Sequence, residues 1–160
     1  MYKRVVVPLD GSPLAEAMLQ FIVYIASPLD LEVALLQVVK AAPPYLTETM
    51  RSVVLENAER SLAEARAYLG GLGEGLSAKG IRVRIEVRRG EPVDEIVACA
   101  REIDADLIAM TTHGRSGLGR LLFGSVAEAV LRQAEIPVFL MRLTAASIGV
   151  RAAKATPRTA

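Results

Sequence analysis

Five short apolar runs, each separated from the next by a stretch that reads as helix, constrain this chain more than any other feature of its 160 residues. The runs are Val5–Leu9, Leu31–Val39, Ile81–Arg88, Leu107–Met110 and Pro137–Met141. After the first, Asp10-Gly-Ser-Pro13 turns the chain. Ser12 is placed to cap a helix with Pro13 in its first position, and that helix is expected to run to about Ala26. A long helix is expected from Glu48 to Leu69, with Val54, Leu55, Ala58, Leu62 and Ala65 at helical spacing. Gly90-Glu-Pro92 opens a third helix with Val93, Ile96, Val97 and Ala100 on one side, and a fourth is expected from Ser125 to Ala134. Strict β-α alternation implies a doubly wound α/β fold, a five-stranded parallel sheet with helices on both faces. Burial of such a sheet from two sides accounts for a hydrophobic content of 52%.

Some segments depart from this rhythm. Gly70, Gly71, Gly73 and Gly75 make helix costly, so the second helix is expected to break, bend or fray there. The third run, Ile81-Arg-Val-Arg-Ile-Glu-Val-Arg88, alternates apolar and charged residues as a half-exposed strand does, and its arginine-rich face reads as solvated. The fifth run is apolar on both sides. Residues 144–160 are rich in Ala and Thr without periodicity and read as a disordered tail behind one domain spanning 1–143.

Composition removes several function classes. With 19 basic against 18 acidic residues, the chain shows no basic stripe for nucleic acid. With no Trp and 4% aromatics it offers no base-stacking platform. No run is long enough to span a membrane, and the short apolar start ends at Asp10, unlike a signal peptide. Cys99, the only cysteine, forbids an internal disulfide and suits a reducing cytoplasm; it reads as a buried, inert thiol.

Chemistry concentrates in two loops. In a doubly wound sheet, ligands sit beyond the carboxyl ends of the strands, where strand order reverses. Pro8-Leu-Asp-Gly-Ser12 follows the first strand, and the glycine-punctuated segment 111–125 follows the fourth. A carboxylate at Asp10 can accept hydrogen bonds from a ribose or a base amino group. A glycine loop entering a helix offers backbone N–H groups and a positive dipole end to phosphate. The loop is not a Walker loop, because Ser125 follows Gly124 without an intervening Lys. Nor is it a dinucleotide fingerprint, because Leu122 stands where a third glycine is needed.

The segment Thr112-His-Gly-Arg-Ser-Gly-Leu, followed by Leu121-Leu-Phe-Gly-Ser-Val-Ala-Glu128, resembles the universal stress protein family. The opening Val5-Val-Val-Pro-Leu-Asp-Gly-Ser12 and the ending Ile136-Pro-Val-Phe-Leu140 resemble it too, so the likeness spans roughly residues 2–142. It implies the adenine nucleotide alpha hydrolase-like fold, with strand order 3-2-1-4-5. This agrees with an alternating third strand at one edge. It also implies a regulatory module that binds ATP, with Mg2+ or Mn2+ on the phosphates. The pattern of the ATP-binding branch is Gly, two residues, Gly, nine residues, Gly, then Ser or Thr. Gly114, Gly124 and Ser125 match it, and Thr111 stands in place of the first Gly. A side chain there either crowds the ribose and phosphate path or donates a hydrogen bond from its hydroxyl. The binding residues implied are Pro8, Leu9, Asp10, Val38, Met110, Thr111, Gly114, Arg115, Gly124, Ser125 and Val126. The resemblance also implies a homodimer paired through Ile136–Met141, whose uncovered apolar edge invites another chain.

Plainer readings stand beside these. Ser125 and Glu128 have the spacing of a capping box. Arg115 is as easily solvated as phosphate-bound, while Arg120 reads more as a solvated surface residue. His113, the only histidine, has no cluster around it to bind a metal and no triad partners, so it reads as a packing residue. No catalytic residue and no protein-held metal is expected. Two other function classes stay open: a slow ATPase using Asp10 or His113 in the same pocket, and a dimeric stress scaffold whose pocket Thr111 closes.

Overall fold

The computed structural model describes residues 2–41, 48–113 and 124–143. The elements run β1 (Arg4–Pro8), α1 (Pro13–Leu29), β2 (Glu32–Val39), α2 (Glu48–Ser77), β3 (Arg82–Arg89), α3 (Pro92–Glu102), β4 (Leu107–His113), α4 (Ser125–Gln133) and β5 (Val138–Leu143). All strand pairings are parallel, in the order β3-β2-β1-β4-β5. The α/β class, the strand order and the edge positions of β3 and β5 agree with the sequence reading.

The sheet has a core on each face because neighbouring residues of a strand point to opposite sides. Val5, Val7, Val33, Leu35 and Ala109 pack under α1 and α2 with Met18, Ile22, Leu69 and Leu76. Val6, Ala34, Leu36, Ile108 and Met110 pack under α3 and α4 with Ile96, Cys99, Ala127 and Val130. Cys99 is fully buried, and burial pushes its thiol pKa up, as an inert thiol requires.

α2 corrects the expected break. It continues through all four glycines to Ser77. Ala65, Leu69 and Leu76 bury one side of it, and Gly73 lets it lie close on β3. A β-carbon at Gly73 would sit 3.3 Å from Val83 Cγ1 and 3.6 Å from Ile85 Cδ1. Glycine costs about 1 kcal/mol in a helix interior, and packing of this kind outweighs it. The stop comes instead at Gly80, whose φ of +77° belongs to the left-handed region.

Other boundaries shift. α1 runs past Ala26 to Leu29 and stops at Asp30, whose left-handed backbone donates to Ala26 and Ser27 carbonyls. β4 extends from the expected Met110 to His113, so Thr111 and Thr112 are strand residues. The charged face of β3 is only partly solvated. Arg88 lies against Cys99 and reaches Glu102 at 2.7 Å, with its side chain 16% exposed. The tail at 144–160 and most of the glycine loop lie outside the described residues.

Candidate functional site

β1 and β4 are paired only at Val5–Leu107 and Val6–Ile108, whereas β1 and β2 stay paired from Arg4 to Pro8. The sheet therefore opens between β1 and β4 toward their carboxyl ends, at the point where strand order reverses. A cleft of about 300 Å³ occupies that place. Its volume is at the small end of ligand pockets, roughly 300–1,000 Å³.

The β1–α1 turn forms one wall. Gly11 takes a φ of +80°, which glycine adopts without strain. The Ser12 N–H donates to Asp10 Oδ1 at 2.9 Å, and Ser12 Oγ accepts from the Ala15 N–H at 3.1 Å, capping α1. Leu9 is anchored to β2 by its N–H to the Leu36 carbonyl at 2.8 Å. The opposite wall is Met110 and Thr111 on β4 with the start of α4. Leu36, Val38, Pro92 and Ile96 line an apolar end.

Of the eleven residues named from the sequence, the cleft brings together Pro8, Leu9, Asp10, Val38, Met110, Thr111, Gly124, Ser125 and Val126. Gly114 and Arg115 lie outside the described residues. Ser12, Leu14, Ala15, Leu36, Pro92, Ile96 and Ala127 also line it and were not named. Leu36 was findable, since it shares a sheet face with Val38. The approach of α3's Pro92 and Ile96 is tertiary and left no local signal.

The capping box is corrected. Ser125 is the first helical residue of α4, and Gly124 holds the cap position with no side-chain hydrogen bond. Glu128 turns away and pairs with Arg132 at 2.7 Å. Among the described residues no side chain caps the first N–H groups of α4 at the cleft wall, where the positive end of the helix dipole lies.

Among the described residues no cluster of His, Cys, Asp and Glu is arranged to hold a metal ion, and no helix is long and apolar enough to cross a membrane. A second groove of about 200 Å³ lies at the opposite end of the sheet between α3 and α4. It is lined by Val97, Ala100, Ile108 and Ile136 with Arg101 and Glu135 at its rim, away from the switch point.

The model of the universal stress protein family matches residues 1–142. The chain belongs to this family. A universal stress protein of Methanocaldococcus jannaschii is 33% identical over 144 residues, covering 89% of this chain and 83% of that one. One of Methanothermobacter thermautotrophicus is also 33% identical, over 89% of this chain and 97% of the other. Among solved structures, hypothetical protein MJ0577 superposes with a TM-score of 0.75 at 28% identity, over 91% of this chain and 99% of that one. A universal stress protein in complex with cAMP superposes with a TM-score of 0.68 at 26% identity, over 89% and 99%. This universal stress protein thus shares the α/β nucleotide hydrolase-like fold of its relatives.

Proposed function

We propose that this chain binds ATP in the cleft between β1 and β4 and acts in the stress response as a regulatory binding module. The observation that carries the reading is the pairing of the Asp10 turn with the N-terminus of α4, whose cap residue Gly124 makes no side-chain hydrogen bond, at the switch point of the sheet. Leu36, Val38, Pro92 and Ile96 give an apolar slot of the kind a base enters, and Asp10 supplies a carboxylate for a ribose or amino group. A relative solved with cAMP supports an adenine nucleotide as the ligand class. A divalent ion, Mg2+ or Mn2+, would ride on the phosphates. The module would work in the cytoplasm as a dimer through β5.

Calorimetry with ATP and Mg2+, together with mass spectrometry of nucleotide released on denaturation, tests this. Saturable binding below millimolar ATP is expected. No heat and no released adenine nucleotide would overturn it.

Thr111 on the cleft wall motivates the scaffold reading, in which its side chain closes the pocket. A Thr111→Gly protein that binds ATP where the parent does not would favour that reading. Turnover ranks lower: hydrolysis needs a positioned base or metal-bound water, and Asp10 is the cleft's carboxylate among the described residues. Loss of any ADP formation in Asp10→Ala would be required of an ATPase built on that group.

A further inference from the structure

Tyr68 lies in the second half of α2, outside the cleft lining, yet its hydroxyl reaches the first turn of α1, which starts at the cleft. It donates to Glu16 Oε1 at 2.9 Å, across 52 residues of sequence. Glu16 sits in the first turn of α1, and its N–H donates to the Ser12 carbonyl at 3.1 Å. Burial, then the bond to Glu16, raises the pKa of this phenol, and the charge of Asp10 acts in the same direction. One hydroxyl therefore ties α2 to the first turn of α1, which the Glu16 N–H joins to Ser12.

The α1 end of the Asp10–Ser12 turn takes its position from α1. Gly11 has the widest conformational freedom of any residue. Its φ of +80° is one of several accessible states, and a β-carbon there would meet nothing within 4 Å. Neighbouring side chains therefore do not wedge it in place. Asp10 and Ser12 hold each other through one 2.9 Å bond. That bond fixes the turn internally, the Leu9 N–H fixes its start to β2, and its other end is positioned by the first turn of α1. A phenol ring is suited to supply position. Tyr68 packs among the partly buried residues of the α1/α2 core, so its hydroxyl is delivered by a stiff side chain.

We propose that Tyr68 is a positioning residue for the cleft, holding the Asp10–Ser12 turn where Asp10 meets the ligand. This rests on the reading of the cleft as an ATP site. It assigns α2 a role in binding, although α2 contributes no residue to the cleft wall. The phenol donates to Glu16, whose N–H holds the Ser12 carbonyl, so removing one oxygen releases the first turn of α1 and, through Ser12, the turn before it.

The test is a double-mutant cycle with ATP and Mg2+ in calorimetry, using the full chain. Tyr68→Phe keeps the ring and is expected to weaken ATP binding about five- to tenfold, the equivalent of one hydrogen bond. Asp10→Ala weakens binding on its own, and adding Tyr68→Phe to it is expected to cost nothing further, because Tyr68 acts through Asp10. Glu16→Gln retains an acceptor oxygen and is expected to bind as the parent does, whereas Glu16→Ala is expected to behave as Tyr68→Phe. Without nucleotide, hydrogen exchange at Gly11 and Ser12 should quicken in Tyr68→Phe while exchange in β1 and β2 stays unchanged. Tyr68→Phe binding ATP as tightly as the parent overturns the proposal and leaves the cleft reading intact. An equal loss in the Asp10→Ala background overturns it as well, since that marks a general loosening. A parent that takes up no ATP removes the cleft reading and this proposal together.

Discussion

Asp106 shows how one side chain can pin a chain end. Its Oδ2 accepts the N–H groups of Lys3 at 2.7 Å and Arg4 at 2.9 Å, joining the start of β4 to the start of β1. The hydrogen bond from Lys3, then that from Arg4, holds the carboxyl below the ordinary aspartate range. A depressed folded pKa gives stability that is present above the unfolded value, about 3.9, and is lost as pH falls through the folded one. Asp106→Asn is therefore expected to lower stability by about 1 kcal/mol at neutral pH, discounted for its partial exposure. The difference should shrink below about pH 4. Urea melts of both proteins at pH 7 and pH 3 check it; an equal gap at both values would mean the carboxylate charge plays no part. Thr111 belongs to the same scale. Its departure from the glycine pattern was legible in the sequence, but only β4's extension showed it as a strand residue, paired with Met141, in the cleft lining.

At the scale of elements, α2 is the instructive case. Local propensity argues for an end near Gly70, and the element runs on to Ser77. The four glycines do not share one reason. Gly73 faces β3 closely, while β-carbons at Gly70, Gly71 and Gly75 would meet nothing within 4 Å. Gly71→Ala is expected to raise stability by about 0.5–1 kcal/mol through helix propensity alone. Gly73→Leu is expected to destabilise by about 1–3 kcal/mol through overpacking against Val83 and Ile85. Thermal unfolding followed by circular dichroism separates them; equal shifts of one sign would refute the packing argument. The first half of α2 behaves differently. No described side chain between Ser52 and Glu64 is fully buried, and Val53 and Leu55 are more than half exposed. A 30-residue helix is about 45 Å long, against about 26 Å for the eight-residue strands it covers, so part of it must extend past the sheet.

For the whole molecule, the open question is what meets β5. It is an edge strand, and Val138, Phe139, Leu140 and Met141 are all only partly buried, although Phe139 stacks on Phe21 with ring centroids 4.8 Å apart. The other edge, β3, carries Arg82, Arg84 and Glu86, which discourage pairing. The asymmetry favours association through β5. Light scattering is expected to give twice the 17.2 kDa of one chain at micromolar concentration. Leu140→Lys is expected to return it toward a monomer, since its stem can stay on the apolar surface while the charge blocks the edge. A parent that scatters as a monomer would end the proposal.

The sequence by itself determined the α/β class, the parallel sheet, its order through the family likeness, and the two loops between which the cleft opens. These follow from periodicity and from glycine, proline and capping chemistry, which are local, and from motifs that keep their spacing. Tertiary structure alone decided where α2 ends, that Gly124 rather than Ser125 caps α4, and that Pro92 and Ile96 complete the cleft. It also decided that Tyr68 of α2 reaches Glu16 in the first turn of α1. Each of these depends on surfaces distant in sequence coming within a few ångströms, and the free energy of those contacts exceeds the small propensity differences a local reading weighs.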